Sequence, residues 1–171
     1  MSERTLQELF EIAINWETQA RDLFADFANL FSHEPKVADF WIQFSKDESG
    51  HIGVLKDILN KIPPEKRSVE VSKEQLNTVL RVEELIKEAS TRKVQTLDDA
   101  YELAHQLETS ELNALFKMLV MDFLPEEEGH KFIVSEVTEH IERLMRFGKE
   151  YTQSHRRLIN AQSIQGGTFN E

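Results

Sequence analysis

Glutamate and histidine recur at a few positions where helical periodicity asks for apolar side chains. Glu17 falls between Ala13 and Ile14 on one side and Ala20 and Phe24 on the other. Glu48 and His51 interrupt a stripe made of Phe40, Trp41, Phe44, Ile52, Leu55 and Ile58. They are three residues apart, so they project from one helix face. Glu108 and Glu111 sit among Ala104, Leu112 and Leu115, and His140 sits among Ile133, Val137, Ile141 and Leu144. A buried charge is costly unless it is paired or bound to a metal. Several carboxylates and two imidazoles converging on one core are what a pair of transition-metal ions would compensate. This donor set suits iron or manganese.

Convergence can be tested by counting. If the first interhelical turn centres on Glu34, Glu17 is 17 residues before it and His51 is 17 after. If the second centres on Leu124, Glu108 is 16 before and His140 is 16 after. Antiparallel helices rise equally at about 1.5 Å per residue, so equal counts mean equal height. Four helices therefore deliver polar groups to one layer. The same count rejects Glu127-x-x-His130, which has the spelling of a ligand pair but lies beside Pro125. At about 1.5 Å per residue it is roughly 15 Å from the layer of His140. Its acidic run Glu126-Glu127-Glu128 reads as helix N-terminal charge.

These residues need long helices to position them, and the chain has few breakers, with 6 glycines and 4 prolines. The apolar spacing predicts a first helix from about Thr5 to Ser32 and a second from Pro35, suited to a first turn, to Lys61. Ile62-Pro63-Pro64 stops the second. A connector over 63–72 contains a short extended stretch, Ser68 to Val71. Ser72 and Gln75 form a capping box that opens a shorter helix, Lys73 to Ser90. Thr96 reads as the next N-cap, for a helix running to Asp122. After Leu124-Pro125 a last helix runs to Phe147 and stops at Gly148. The expected fold is all-α, a four-helix bundle of two antiparallel hairpins joined by a long crossover, residues 62–96, that carries a short extra helix. The bundle spans 1–147, and 148–171 is a polar tail, partly helical. Glu17 with its neighbours resembles Glu108 with its own, and the surroundings of His51 resemble those of His140, which suggests an internal duplication.

Composition narrows the function. The 171 residues suit one domain with a tail. Thirty-one acids against 20 bases give a net charge of −11, which disfavours nucleic acid and favours cations. The absence of cysteine excludes disulfides, thiolate metal sites and a cysteine nucleophile. No apolar run approaches the ~20 residues of a membrane span, and the start MSERTLQELF lacks the pattern of a signal peptide. A cytoplasmic protein is expected. The phenylalanine stripe (Phe10, Phe24, Phe27, Phe31, Phe44) reads as core packing, and His33, His105 and His155 as surface residues.

Over residues 3 to 147 the pattern resembles the ferritin-like superfamily, and within it the rubrerythrin-type di-iron domain. The resemblance implies Glu17 and Glu108 as terminal ligands, Glu48 as a bridge, and His51 and His140 as one ligand to each metal. It implies Glu111 as a ligand that changes partner with oxidation state. The chain departs from the family at Val137, three before His140, where the family has a second bridging Glu. Glu136 is only about 40° away around an ideal helix. Two readings stay open: Glu136 reaches in and two irons bind, or the site holds one metal. Manganese and zinc are also compatible with the ligand set. No rubredoxin-like iron centre can form without cysteine, so any redox cycle needs an external electron donor. The resemblance implies reduction of peroxide or dioxygen with oxidation of ferrous iron, and no catalytic residues beyond the ligands. A homodimer is expected. The alternative is a bundle whose degraded metal site serves a structural, oligomerising or metal-sensing role. Iron storage is a third, weaker reading.

Overall fold

A computed structural model describes residues 4–109 and 111–153. Among these residues the chain is a bundle of helices with no strand. The segment expected as a tail lies, from 154 onward, outside the described residues.

The first helix, α1 (Leu6–Leu30), starts at a capping box: the Glu8 N–H donates to Thr5 Oγ1 at 3.3 Å, and the Thr5 N–H donates to Glu8 Oε2 at 2.6 Å. Two orphan donors of the first turn are thereby satisfied. Helix α2 (Pro35–Lys61) begins with proline at its first position, where a missing N–H costs nothing. A single turn, α3 (Pro64–Arg67), leads into an extended stretch that ties the crossover to the chain start. There the Leu6 N–H donates to Val69 O and the Val71 N–H donates to Arg4 O, both at 2.9 Å. Helix α4 (Lys73–Thr91) opens on the expected Ser72–Gln75 capping box. Helix α5 (Leu97–Glu108) opens on a matching pair, Thr96 and Asp99.

The second half departs from the expected pair of unbroken helices. The helix from Thr96 ends at Glu108, and α6 (Glu111–Phe123) starts afresh. Thr109 caps the break: its hydroxyl donates to His105 O at 2.7 Å, and its N–H donates to the same carbonyl at 3.0 Å. A hydroxyl side chain that bonds the preceding turn competes with helix continuation. The last helix is likewise not uniform. After α7 (Glu126–Phe132) comes a π-helical stretch, Ile133–Thr138, and then α8 (Glu139–Tyr151). Nor does Gly148 stop that helix; the chain stays helical to Tyr151. The glycine is instead a close-approach residue, because a Cβ there would meet the Tyr101 ring at 2.3 Å.

Two apolar clusters fill the bundle. One joins the first half of α1 to the second half of α2, α4 and α6, through Leu9, Phe10, Leu55, Val79, Phe116 and Leu119. The other joins the second half of α1 to the first half of α2, α5 and α8, through Phe24, Trp41, Phe44, Tyr101 and Phe147. On each core helix the interrupting acid or histidine falls at the boundary between the clusters. Glu17 separates Trp16 from Ala20, Glu48 and His51 separate Phe44 from Leu55, Glu108 separates Leu107 from Leu115, and His140 separates Val137 from Leu144.

Candidate metal centre

The layer between the clusters holds the buried polar side chains that the stripes singled out. Relative exposure is 3% for Glu17, 2% for Glu48, 3% for His51, 4% for Glu108 and 1% for His140. Water therefore does not solvate these groups, and their neighbours must. His51 Nδ1 lies 3.0 Å from Glu48 Oε2 and 3.5 Å from Glu17 Oε2. His140 Nε2 lies 3.4 Å from both Glu48 Oε1 and Glu108 Oε1. Two groups of donor atoms result, Glu17–Glu48–His51 and Glu48–Glu108–His140, each drawn together within 4.8 Å. Glu48 belongs to both. The two imidazoles stand 5.7 Å apart between ring centroids. Phe44 packs on His140 at 3.9 Å and Phe116 on His51 at 4.6 Å, so apolar rings close the layer from both clusters.

The electrostatics are those of a cation site. Burial, then the charges of Glu108 and Glu17, push the Glu48 carboxyl well above the usual range. Burial alone would lower His51. Hydrogen bonds to Glu17 and Glu48, with the charges of both, outweigh it and raise His51 to about 11. Without metal, protons supply the positive charge the carboxylates require. Several buried donor atoms still lack a hydrogen-bond partner: Glu48 Oε1, His51 Nε2 and both ring nitrogens of His140. Buried polar atoms are rarely left so. Three carboxylates and two imidazoles, some orphaned and gathered in two triads, fit a pair of divalent cations.

The other expected ligands fare differently. Glu111 opens α6 just past the break, and its side chain lies outside the described residues. Glu136 is exposed on the π-helical stretch and does not enter the layer. Val137, at 1% exposure, takes the inward position, as its place on the apolar stripe with His140 predicts. Glu127 is exposed and pairs with Lys131 at 2.8 Å, as its place near the turn predicts. His33 is exposed, His105 is half-buried, and His155 lies outside the described residues.

The stripes did not single out Asp47. Its Oδ2 lies 3.7 Å from His140 Nδ1 and pairs with the Arg143 guanidinium. It stands behind the imidazole, on the side away from Glu48 and Glu108. At 3.7 Å this is an electrostatic contact and not a hydrogen bond, with the carboxylate facing the ring nitrogen opposite the one that faces Glu48 and Glu108. The available signal was its place beside Glu48, facing Arg143 one turn after His140.

No helix among the described residues is long and apolar enough to cross a membrane. Comparisons with curated proteins and with solved structures found no significant match. A family model described as Rubrerythrin matches residues 8–137, which contain four of the five converging side chains and stop three residues before His140. With most of its length matched, and with buried carboxylate–histidine groups that could hold metal, the chain belongs to the rubrerythrin family.

Proposed function

We propose that the chain is a non-haem iron protein that reduces peroxide or dioxygen while ferrous iron is oxidised, with electrons returned by an external donor. The observation that carries this reading is Glu48, shared between two buried three-donor groups on four helices. Glu17 and His51 would hold one ion, Glu108 and His140 the other, and Glu48 would bridge them. Ferrous iron, when bound, supplies the two electrons that, with two protons, take one peroxide to two waters. The protein's own part is to hold the ions and keep the layer dry. Phe44 and Phe116 exclude water, and the Asp47 charge on the far side of His140 would help to hold its ring.

Val137 favours a second reading. With an apolar side chain at the inward position, three carboxylates face two divalent ions, and the second bridge of the family is missing. Such a site could retain metal without turnover and act as a structural or sensing module. Anaerobic loading with ferrous iron, elemental analysis after desalting, and stopped-flow oxidation by peroxide separate the two. Two irons per chain with rapid oxidation support the oxidoreductase. One iron, or two that peroxide oxidises no faster than free ferrous ion, supports the module.

A further inference from the structure

Between α2 and α8 lies a cleft of about 330 Å3. Lys36, Arg143 and Arg146 bring three cations to its wall, against one acid, Glu150. This is unusual in a chain of net charge −11. Arg143 pairs with Asp47, whereas Lys36 and Arg146 have no ion-pair partner among the described residues. The rest of the lining is a ladder of aromatic rings. Phe40 stacks on Phe147 with centroids 3.9 Å apart and planes 8° apart, and Phe147 stacks on Tyr151 at 5.1 Å and 29°. Phe147 is buried, but Phe40 and Tyr151 are half-exposed, so the ladder keeps ring surface open to a ligand.

We propose that this cleft binds a small planar aromatic anion, a ring carrying a phosphate group. The ring would extend the Phe40–Phe147–Tyr151 ladder, where offset stacking is favoured. The anionic group would meet Lys36 and Arg146, and guanidinium forks suit phosphate. The volume sits at the low end for small-molecule sites, which favours a compact ring system over a large chain partner. Arg143 connects the cleft to the buried layer through Asp47 and His140, so a bound ligand lies a short side-chain path from the proposed metals. Binding itself stands apart from the metal reading, and either can fail alone.

The test is calorimetric titration of the full-length chain, with and without added metal, using flavin mononucleotide, AMP, riboflavin and inorganic phosphate. At least one of the two aromatic phosphates should bind saturably below about 1 mM, with riboflavin or phosphate alone at least about tenfold weaker. The double substitution Lys36→Gln with Arg146→Gln, both exposed, should weaken that binding about tenfold or more while leaving helicity and metal content unchanged. No binding of either aromatic phosphate would overturn the proposal. So would riboflavin or phosphate binding as tightly as the aromatic phosphate, or indifference to the double substitution.

Discussion

Oε1 of Glu48 lies 3.4 Å from Nε2 of His140, on a helix far away in the sequence, while the other oxygen of the same carboxylate lies 3.0 Å from Nδ1 of His51. One side chain thus faces both imidazoles of the layer. The consequences of losing it differ from those of losing any other group there.

Glu48→Gln should abolish binding at both halves of the site, whereas Glu17→Gln and Glu108→Gln should each weaken mainly one. Elemental analysis after loading would read near zero for the first variant and near half the wild-type content for the others. In the metal-free chain Glu48→Gln should cost little or stabilise, because the native carboxyl already resists ionisation in its buried, acid-flanked position. Half occupancy in Glu48→Gln would contradict a shared ligand.

Filling the missing position is the converse experiment. Val137→Glu would place a fourth carboxylate at an inward site that is 1% exposed. Without metal it should destabilise the bundle by about 2–5 kcal/mol, the cost of an uncompensated buried polar or charged group. Ferrous or manganous ion should recover most of that loss, and the second ion should bind more tightly. Denaturant melts with and without metal give both numbers. A variant that metal does not rescue would place Val137 outside coordinating reach.

The pH dependence has a definite sign. Glu48 and His51 both have folded-state pKa values above their ordinary ones of 4.5 and 6.5. The metal-free folded state therefore binds more protons than the unfolded state. Through Glu48 its stability declines as pH rises from about 4.5. Through His51 the gain is complete below 6.5 and is lost as pH rises to about 11. Metal needs the ionised carboxylate and the neutral imidazole, so the stabilisation it adds should grow over the same interval. Melting temperatures of metal-free and loaded protein at mildly acidic and mildly alkaline pH would show the gap widening. A gap that narrows would refute the assignment.

Asp47→Ala should leave the helices intact yet weaken metal at the His140 half by about 10–100-fold, as loss of an orienting carboxylate does elsewhere. Asp47→Asn should lose less, since an amide oxygen facing Nδ1 keeps part of the carboxylate's electrostatic pull on the ring. Competitive titration with a chelator of known affinity distinguishes the two. Equal affinity in all three proteins would reduce Asp47 to a surface partner of Arg143.

Gly148→Ala should destabilise the bundle by about 1–3 kcal/mol, because the added methyl collides with the Tyr101 ring. Gly50→Ala and Gly53→Ala, helical positions with nothing within 4 Å of the new carbon, should stabilise by about 0.4–1 kcal/mol. Urea denaturation of the three variants tests the contrast.

Much of this protein was legible in the sequence alone. The apolar stripes and caps gave the bounds of α2 and the start of α4 to the residue, because helix starts are written in local chemistry. The stripes also exposed Glu17, Glu48, His51, Glu108 and His140, since a polar residue on a buried face is visible without knowing what it faces. Equal counting across the first turn placed Glu17 level with His51, because helical rise is nearly constant along the unbroken α1 and α2. Tertiary structure decided what local pattern cannot carry. The break at Thr109 and the π-helical stretch before His140 interrupt helices that periodicity reads as continuous, and the fold buries Val137 while leaving Glu136 exposed. The role of Gly148 depends on Tyr101, which is remote in sequence. The partnership of Asp47 with His140, and the meeting of Lys36 and Phe40 with Arg146 and Tyr151, exist only because α2 and α8 pack side by side. Periodicity reports which face of a helix is buried; only packing determines which residues meet there.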